Sequence, residues 1–249
     1  MVKKILVIGA GWYGCHIGLY LKELGHNVVI YEKENKIFSS ASGYNQFRLH
    51  RGFHYPRTSD TITEIKRNYE RFVKKYKSFV YYPKNNYYCI AKKKSLIDAK
   101  TYELILSSHK LKYKKKIKHN LSNMEGVYVV NEGVIQNNKI IKFYKKKLNG
   151  NIILNKEIRN LNKIKSNYDF IIDCTNNTLN NSLEKNFNYL LTISAIFKNK
   201  KNKKKIDTIT VMDGSLPSLY PYADKKGFFT LTHAKYTHIK KFKSYKSLQ

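Results

Sequence analysis

The N-terminal stretch KKILVIGAGWYG holds the pattern that most constrains the fold of this chain. The apolar run Ile5–Ile8 predicts a buried parallel strand, and Gly9, Gly11 and Gly14 follow it in the spacing G-x-G-x-x-G. In such a fingerprint the first glycine permits a tight turn, the second admits a pyrophosphate close to the backbone, and the third lets the helix pack near the sheet. The phosphates are expected at the helix N-terminus, where free N–H groups and the helix dipole favour anions.

The residues that follow complete a strand–helix–strand unit. Gly25 predicts the end of the helix, because glycine readily adopts positive φ. Val28–Tyr31 predicts a second buried strand, and Glu32 at its end is suited to accept a hydrogen bond from a ribose 2′-hydroxyl. That carboxylate would repel a 2′-phosphate, so NADP is disfavoured. We therefore predict a dinucleotide-binding βαβ unit rather than an ordinary glycine-rich turn, and the fingerprint alone leaves NAD and FAD open.

The chain is strongly basic, with a net charge of +31 over 249 residues. Lysine supplies 42 of the 48 basic residues, whereas arginine, which is favoured for phosphate and base recognition, is scarce. The lysine runs 114–116, 145–147 and 200–205 therefore predict solvated faces and loops. We expect weak, non-specific attraction to polyanions at low salt and no specific nucleic acid partner.

The sequence also allows predictions about the cellular compartment, membrane-spanning segments and metal sites. The three cysteines lie far apart and form no C-x-x-C motif, which predicts reduced thiols and a cytoplasmic protein. No stretch approaches the roughly 18 apolar residues that span a bilayer, so we expect no transmembrane segment. His50 and His54 are four residues apart, but no carboxylate or cysteine completes a metal-ligand pattern, so no metal site is predicted.

A second informative stretch, SSASGYNQFRLHRGFHYPR, begins at Ser39. Small and hydroxyl residues give way there to a dense group of Arg, His and Tyr, as is typical of a loop that lines a site. His50 could take or relay a proton, because imidazole titrates near neutrality, or it could only hydrogen-bond a cofactor or the backbone. Arg51 and Arg57 could clamp a carboxylate or phosphate, or they could pair with surface carboxylates.

Periodicity and turn residues predict the remaining elements that matter below. Ser59–Lys77 predicts a helix, with Thr61 and Glu64 in a capping box at its start. Three further predictions concern strands and loops: a hairpin of Phe79–Tyr82 with Tyr87–Ala91, a strand over Leu190–Lys198, and a turn-rich loop over residues 213–222.

The two motifs together resemble those of a known family. GAGWYG with Glu32 is similar to the N-terminal motif of FAD-dependent oxidoreductases of the D-amino-acid oxidase and glycerol-3-phosphate dehydrogenase type. The second stretch resembles that family's Ser-rich signature leading into Lys-Leu-x-His-Gly-Gly-x-Arg-Tyr. The residues in comparable places are Arg48, Leu49, His50, Gly52 and Tyr55. NEGVIQNNKIIKFYKKKL and DFIIDCTNN look like further segments of the family. The second signature favours FAD, with NAD as the runner-up.

The resemblance implies an α/β fold, in which a Rossmann-like FAD-binding domain is interleaved with an antiparallel-sheet substrate lobe. Residues 1–249 then form one unit of this DAO type. The expected parts are a nucleotide lobe over 1–58 and 127–185, a substrate lobe over 59–126 and 186–238, and a basic tail over 239–249.

The resemblance also implies a set of site residues. The expected cofactor-binding residues are Gly9, Ala10, Gly11, Trp12, Tyr13, Gly14, Glu32, Lys33, Ser40, Ser42, Arg48, Leu49, His50, Ile158, Thr175 and Asn176. The expected catalytic residues are Arg48, His50, Tyr55 and Arg57. Asn176 stands where the family usually has a glycine.

The implied function is hydride transfer to FAD from a small polar substrate with an amine or a hydroxyl group. Relatives usually continue to a Gly-containing segment that packs against the flavin, and no such segment is evident in this sequence. A degenerate, truncated flavoprotein relative that acts as a binding or scaffold protein is therefore one alternative. A basic nucleic-acid-binding protein is a less favoured one.

Overall fold

The computed structural model describes residues 1–117, 121–179, 188–200, 207–222 and 225–243. These residues belong to two compact units. The first comprises Met1–Asn45, Asn138–Leu191 and Lys240–Gln249, and the second comprises Gln46–Asn137 and Thr192–Ile239. The nucleotide-lobe and substrate-lobe boundaries predicted from the sequence remain a proposal, separate from this division into two units. Residues 201–205 of the third lysine run and residues 244–249 of the expected basic tail lie outside the described part of the chain.

The described residues form helices and strands in the following order. The helices are α1 (Trp12–Glu23), α2 (Ser59–Tyr76), α3 (Ala99–Ser108) and α4 (Asn137–Lys147). The strands are β1 (Lys4–Ile8), β2 (Asn27–Tyr31), β3 (Arg48–Leu49), β4 (Val80–Tyr81), β5 (Asn86–Ala91), β6 (Tyr113–Lys115), β7 (Met124–Val130), β8 (Gly133–Ile135), β9 (Ile152–Ile153), β10 (Phe170–Asp173), β11 (Tyr189–Thr192), β12 (Ala195–Lys198), β13 (Thr208–Met212), β14 (Pro217–Pro221), β15 (Phe228–His233) and β16 (His238–Phe242).

A parallel sheet with strand order β10-β1-β2-β9 organises the first unit. The run Ile5–Ile8 is buried, as its apolar sequence predicts for a strand of a parallel sheet. Ile8 lies opposite both Tyr31 and Asp173 in the register. The chain therefore leaves β1, β2 and β10 at one edge of the sheet, which we call the carboxyl edge.

Helix α1 ends where the sequence predicts. Its last residue is Glu23, and Gly25 adopts the left-handed conformation with φ of 86°. The N–H of Gly25 donates to the Lys22 carbonyl, and the N–H of His26 donates to the Leu21 carbonyl. These two bonds form a Schellman motif, which satisfies carbonyls that the helix end would leave without donors.

Two sheets organise the second unit. The larger is mostly antiparallel, with strand order β12-β15-β14-β13-β5-β7-β6, and the smaller has the order β3-β8-β4. Tyrosines fill much of the core of the larger sheet, and the rings of Tyr102 and Tyr128 meet edge to face with centroids 5.2 Å apart. The predicted α/β class with a second, antiparallel sheet is confirmed.

The predicted hairpin of Phe79–Tyr82 with Tyr87–Ala91 is wrong. Strand β4 pairs with β8 in the smaller sheet, whereas β5 pairs with β7 and β13 in the larger one. Strand β5 is buried from Asn86 to Ile90 and needs a partner on each side, so its pairing is decided by distant strands rather than by the adjacent turn.

Three smaller predictions also fail. Helix α2 begins at Ser59, after a turn in which the Thr58 N–H donates to the Tyr55 carbonyl, so Thr61 and Glu64 lie inside the helix and form no capping box. Residues 213–222 contain strand β14, in which alternate side chains are buried and the two prolines stand at the ends. Leu190–Lys198 is divided between β11 and β12, which belong to different sheets.

Candidate functional site

Close packing of backbone marks the carboxyl edge of the first unit. Gly9 has φ of 98°, and a Cβ placed on it would lie 2.7 Å from the Cys174 carbonyl oxygen. A Cβ on Gly14 would overlap the carbonyl oxygen of Gly9. Both positions therefore require glycine, and the start of α1 lies directly against the ends of β1 and β10.

The N-terminus of α1 is joined to the loop that follows β2. Gly11 is the N-cap residue, and the Trp12 N–H donates to Ser42 Oγ over 2.9 Å. The Trp12 ring packs on Phe38, with centroids 5.8 Å apart. Tyr13 and Ser40 are exposed. The predicted cofactor-binding residues at 11, 12 and 42 are thus brought together at the positive end of the helix dipole.

Glu32 is buried and holds the turn after β1. Its Oε2 accepts the Ala10 N–H over 2.7 Å, and its Oε1 accepts the Glu34 N–H over 3.0 Å. A carboxylate offers about four acceptor sites, so these two bonds leave capacity for a ribose hydroxyl. Lys33 is exposed, and its Nζ lies 3.9 Å from Glu34 Oε1.

The loop after β10 has a residue in the left-handed conformation at the position where the resemblance places a glycine. Asn176 adopts a left-handed φ of 58°, a region that asparagine tolerates better than most residues. The N–H and hydroxyl of Thr175 both donate to Asp173 Oδ1, over 2.8 and 2.6 Å. Ile158, the expected adenine contact, is buried in a cluster with Leu6 and Ile8.

A buried polar cluster lies in the second unit. We call it the Arg48–Glu132 cluster, and its members are Arg48, His50, His54, Tyr88, Glu132 and Tyr220. Arg48 is on β3, which pairs with β8, and Glu132 directly precedes β8. Arg48 Nη2 lies 3.5 Å from Glu132 Oε1, and the side chains of both residues are buried. The Arg48 guanidinium also lies over the Tyr220 ring, 4.3 Å from its centroid.

Glu132 receives several donors. Tyr88 donates its hydroxyl proton to Oε1 over 2.7 Å, and the Arg51 N–H donates to Oε2 over 3.1 Å. His50 Nδ1 is buried and lies 3.4 Å from Oε1, close enough for electrostatic attraction but without the geometry of a hydrogen bond. Although burial alone would raise the pKa of Glu132, the contact with His50 and the charge of Arg48 hold that pKa at about 2. The carboxylate is therefore ionised at neutral pH.

His54 is the second imidazole of the cluster. Its Nδ1 lies 3.3 Å from Arg48 Nη2, and its ring stacks on that of His50 with centroids 5.2 Å apart. Burial and the Arg48 charge lower the pKa of His54 to about 3, so the ring is neutral at physiological pH. The Tyr55 ring meets both imidazoles edge-on, with its centroid 5.3 Å from each.

The structure brings three of the expected catalytic residues together, namely Arg48, His50 and Tyr55, and pairs the fourth, Arg57, with Asp213. Arg57 is bonded through Nε to Asp213 Oδ2. Leu49 lies opposite Gly133 in the pairing of β3 with β8.

Sequence reasoning missed Glu132, Tyr88 and His54 as members of this cluster. The chain has only 17 acidic residues, and one of them, Glu132, stands between two apolar strand segments. A carboxylate in such a position must find buried donors, and that was the signal that could have identified it.

Within the described ranges, no three His, Cys, Asp or Glu side chains are grouped so that they could hold a metal ion. Among the same residues, no helix has the length and apolar content needed to cross a bilayer.

Comparison with known proteins identifies the family. The sequence model described as FAD dependent oxidoreductase (DAO) matches residues 4–235. The chain therefore belongs to the DAO family of FAD-dependent oxidoreductases. Membership of this family identifies FAD, rather than NAD, as the dinucleotide.

One relative and two solved structures illustrate the likeness. The chain is 30% identical over 247 residues to the FAD-dependent monooxygenase FPY4 of Fusarium mangiferae, which covers 96% of this chain and 66% of the relative. Glycine oxidase from Geobacillus kaustophilus has a TM-score of 0.67 at 10% identity, covering 93% of this chain and 71% of that one. FAD-bound L-alpha-glycerophosphate oxidase from Mycoplasma pneumoniae has a TM-score of 0.63 at 12% identity, covering 94% and 72%. The two structures show a shared fold, and this chain spans just under two thirds of the Fusarium relative.

Proposed function

We propose that this protein is an FAD-dependent oxidoreductase that removes hydride from a carbon bearing a hydroxyl or amine group in a small polar substrate. One observation carries the proposal. The fingerprint turn and Glu32 directly follow β1 and β2, and Thr175 lies two residues after the end of β10, at the carboxyl edge of the same parallel sheet. In open α/β sheets this edge is where dinucleotides bind. Family membership supplies FAD as the dinucleotide.

The residues of the first unit have the chemical groups, and the positions along the carboxyl edge, that FAD binding requires. We assign the pyrophosphate to the N-terminus of α1, where the glycines leave the backbone open and the dipole is positive. We assign a ribose hydroxyl to Glu32, which has acceptor capacity left after its two backbone bonds. The expected contacts of Ser40, Ile158, Thr175 and Asn176 with the cofactor belong to the same proposal.

When bound, FAD supplies the hydride acceptor, and the residues of this chain manage the proton. We assign proton acceptance to His50, which is partly exposed, with 27% of its side chain accessible. Arg48 is neutralised by Glu132, so we assign it the positioning of that carboxylate rather than of a substrate. Arg51 and Arg57 each have an acidic partner, Glu70 and Asp213, which favours surface pairing over a substrate clamp.

Monooxygenation is the second candidate reaction, because the relative at 30% identity is named a monooxygenase. The two reactions differ in the product. Hydride removal from an alcohol or amine leaves a carbonyl or imine. Monooxygenation instead adds one oxygen atom from O₂ to the substrate and reduces the other to water, with two electrons from a reduced nicotinamide. Mass spectrometry of the product formed under ¹⁸O₂ separates the two.

We also propose that the substrate is a small molecule, that the protein has no specific nucleic acid partner, and that it is cytoplasmic. The three cysteines, all within the described residues, are unpaired, which supports a reducing compartment. The scarcity of arginine supports the expectation about nucleic acid.

The test is a visible absorption spectrum of the purified full chain after incubation with FAD, followed by anaerobic addition of small alcohols and amines. We expect a flavin spectrum, release of FAD on denaturation, and bleaching by at least one substrate of this class. A chain that folds and does not take up FAD would contradict the proposal and would support a binding or scaffold role.

A further inference from the structure

The imidazoles of His50 and His54 are stacked, and each has its Nδ1 close to a charged side chain. The neighbour of one Nδ1 is a hydrogen-bond donor and the neighbour of the other is an acceptor. His54 Nδ1 lies 3.3 Å from Arg48 Nη2, and His50 Nδ1 lies 3.4 Å from Glu132 Oε1. A guanidinium has donors and no acceptor, whereas an ionised carboxylate has acceptors and no donor. The two neighbours therefore place opposite demands on the two Nδ1 atoms.

The demand on His54 is fixed by Arg48. Because the guanidinium is always protonated, the Nδ1 of His54 must be the acceptor of any hydrogen bond between them. A neutral imidazole that accepts at Nδ1 carries its proton on Nε2. His54 stays neutral over the physiological range, since burial and the Arg48 charge disfavour its protonation.

The demand on His50 is fixed by Glu132. That carboxylate is fully buried and is ionised at neutral pH, and it already accepts the Tyr88 hydroxyl and the Arg51 N–H. An unprotonated Nδ1 at 3.4 Å would set a lone pair against an anion, whereas a protonated Nδ1 is attracted to it. The proton of neutral His50 therefore belongs on Nδ1, and its Nε2 is left as the acceptor.

We infer that Arg48 and Glu132 hold His54 and His50 in opposite tautomers, so that the stacked pair presents one Nε2 acceptor and one Nε2–H donor. Neither Nε2 has a hydrogen-bond partner among the described residues. Arg48 and Glu132 act here as positioning residues. Among the described residues, the Tyr55 ring also meets both imidazoles, and the hydroxyls of Tyr88 and Tyr220 bond to Glu132.

The inference deepens the proposed function and rests on it for its chemical consequence. In the proposed oxidation, His50 Nε2 would accept the proton that a substrate hydroxyl or amine loses as its C=O or C=N bond forms, and FAD would supply the acceptor for the hydride. His54 Nε2–H can donate to an oxygen of the same substrate. The pair thus selects substrates in which an oxidisable hydroxyl or amine carbon has a neighbouring oxygen acceptor.

The test is long-range ¹H–¹⁵N correlation NMR of the histidine side chains in the uniformly ¹⁵N-labelled full chain, without flavin or substrate. The spectrum distinguishes protonated from unprotonated ring nitrogens, and His50→Asn and His54→Asn each remove one set of peaks and so assign them. At a pH where both rings are neutral, we expect the proton of His50 on Nδ1 and that of His54 on Nε2. The same tautomer in both rings, or the reverse assignment, would overturn the inference.

A variant comparison tests the positioning role. Glu132→Leu, which removes both acceptor oxygens, should abolish the single tautomer of His50 and leave that of His54 unchanged, whereas Glu70→Gln, which removes an exposed carboxylate, should change neither. An unchanged His50 tautomer in a folded Glu132→Leu protein would contradict the role of Glu132. The wild-type spectrum decides the tautomers even if that variant fails to fold. A chain with the expected tautomers that does not bind FAD would refute the proposed function alone.

Discussion

At the scale of single residues, the feature with the largest energetic consequence is the buried ion pair of Arg48 and Glu132. Charges are costly to remove from water, and here each is compensated by the other and by the hydroxyls of Tyr88 and Tyr220. Such a pair is fragile towards loss of one partner, because the remaining charge is then buried without compensation.

Replacement of Glu132 by alanine should therefore be strongly destabilising. We expect Glu132→Ala to lower the free energy of unfolding by about 3–5 kcal/mol, as measured by urea denaturation. Glu70→Ala, whose carboxylate is 74% exposed and pairs with Arg51 at 3.8 Å, should cost less than about 1 kcal/mol. Equal effects of the two substitutions would contradict the account of the cluster.

The same residues predict how stability depends on pH. The pKa of His54 is about 3 in the fold against 6.5 ordinarily, and that of Glu132 is about 2 against 4.5. Both pKa values are depressed, so the unfolded chain binds more protons and both contributions are present at neutral pH. The His54 contribution is lost as pH falls from 6.5 towards 3, and the Glu132 contribution as it falls from 4.5 towards 2.

Urea denaturation at a series of pH values measures this dependence. His54→Asn should reduce the slope of stability against pH between pH 6 and 4 by about 1.4 kcal/mol per pH unit, the value for one proton. His238→Asn, at an exposed position of β16, serves as the control and should leave the slope unchanged. If His54→Asn shows the same slope of unfolding free energy against pH as the wild type, groups other than His54 cause that slope.

At the scale of secondary-structure elements, the sequence predicted what local patterns encode. The unit of β1, α1 and β2 could be predicted because its strands, glycines and helix end are close together in the sequence. The hairpin of β4 and β5 could not, because the partners of β5 lie on β7 and β13. Glu132 was missed for the same reason, since its contacts with Tyr88, Arg48 and Tyr220 span 44, 84 and 88 residues. Periodicity carries no information about such pairings.

Packing of α1 against the strand ends gives an element-scale prediction. In Gly14→Ala the new Cβ would overlap the Gly9 carbonyl oxygen, which is backbone and cannot rotate away, so the helix must shift. We expect a loss of about 3 kcal/mol or more in unfolding free energy, together with loss of FAD binding. Gly25→Ala, where no atom lies within 4 Å of the new Cβ, should cost only about 1 kcal/mol for its positive φ. Retention of full FAD affinity in Gly14→Ala would contradict the placement of the cofactor.

At the scale of the whole molecule, the net charge of +31 dominates the behaviour of the chain towards polyanions. Charge of this kind attracts nucleic acid through counterion release, which is independent of sequence and falls steeply with salt.

We therefore expect weak DNA binding without specificity. Fluorescence anisotropy with labelled duplexes of unrelated sequence should give equal affinities, with a loss of at least about tenfold between 50 and 200 mM salt. A preference for one sequence above about 10³-fold, which is the lower range of specific binders, would favour the nucleic-acid alternative.

The central claim is that FAD binds at the carboxyl edge of the parallel sheet, and equilibrium titration of the full chain with FAD tests it most directly. We expect saturable FAD binding that NAD does not displace, about tenfold weaker binding in Glu32→Gln through loss of a charged hydrogen bond, and a change below about twofold in Glu34→Gln. A folded wild-type chain that binds no FAD, or binding that is indifferent to Glu32, would contradict the claim.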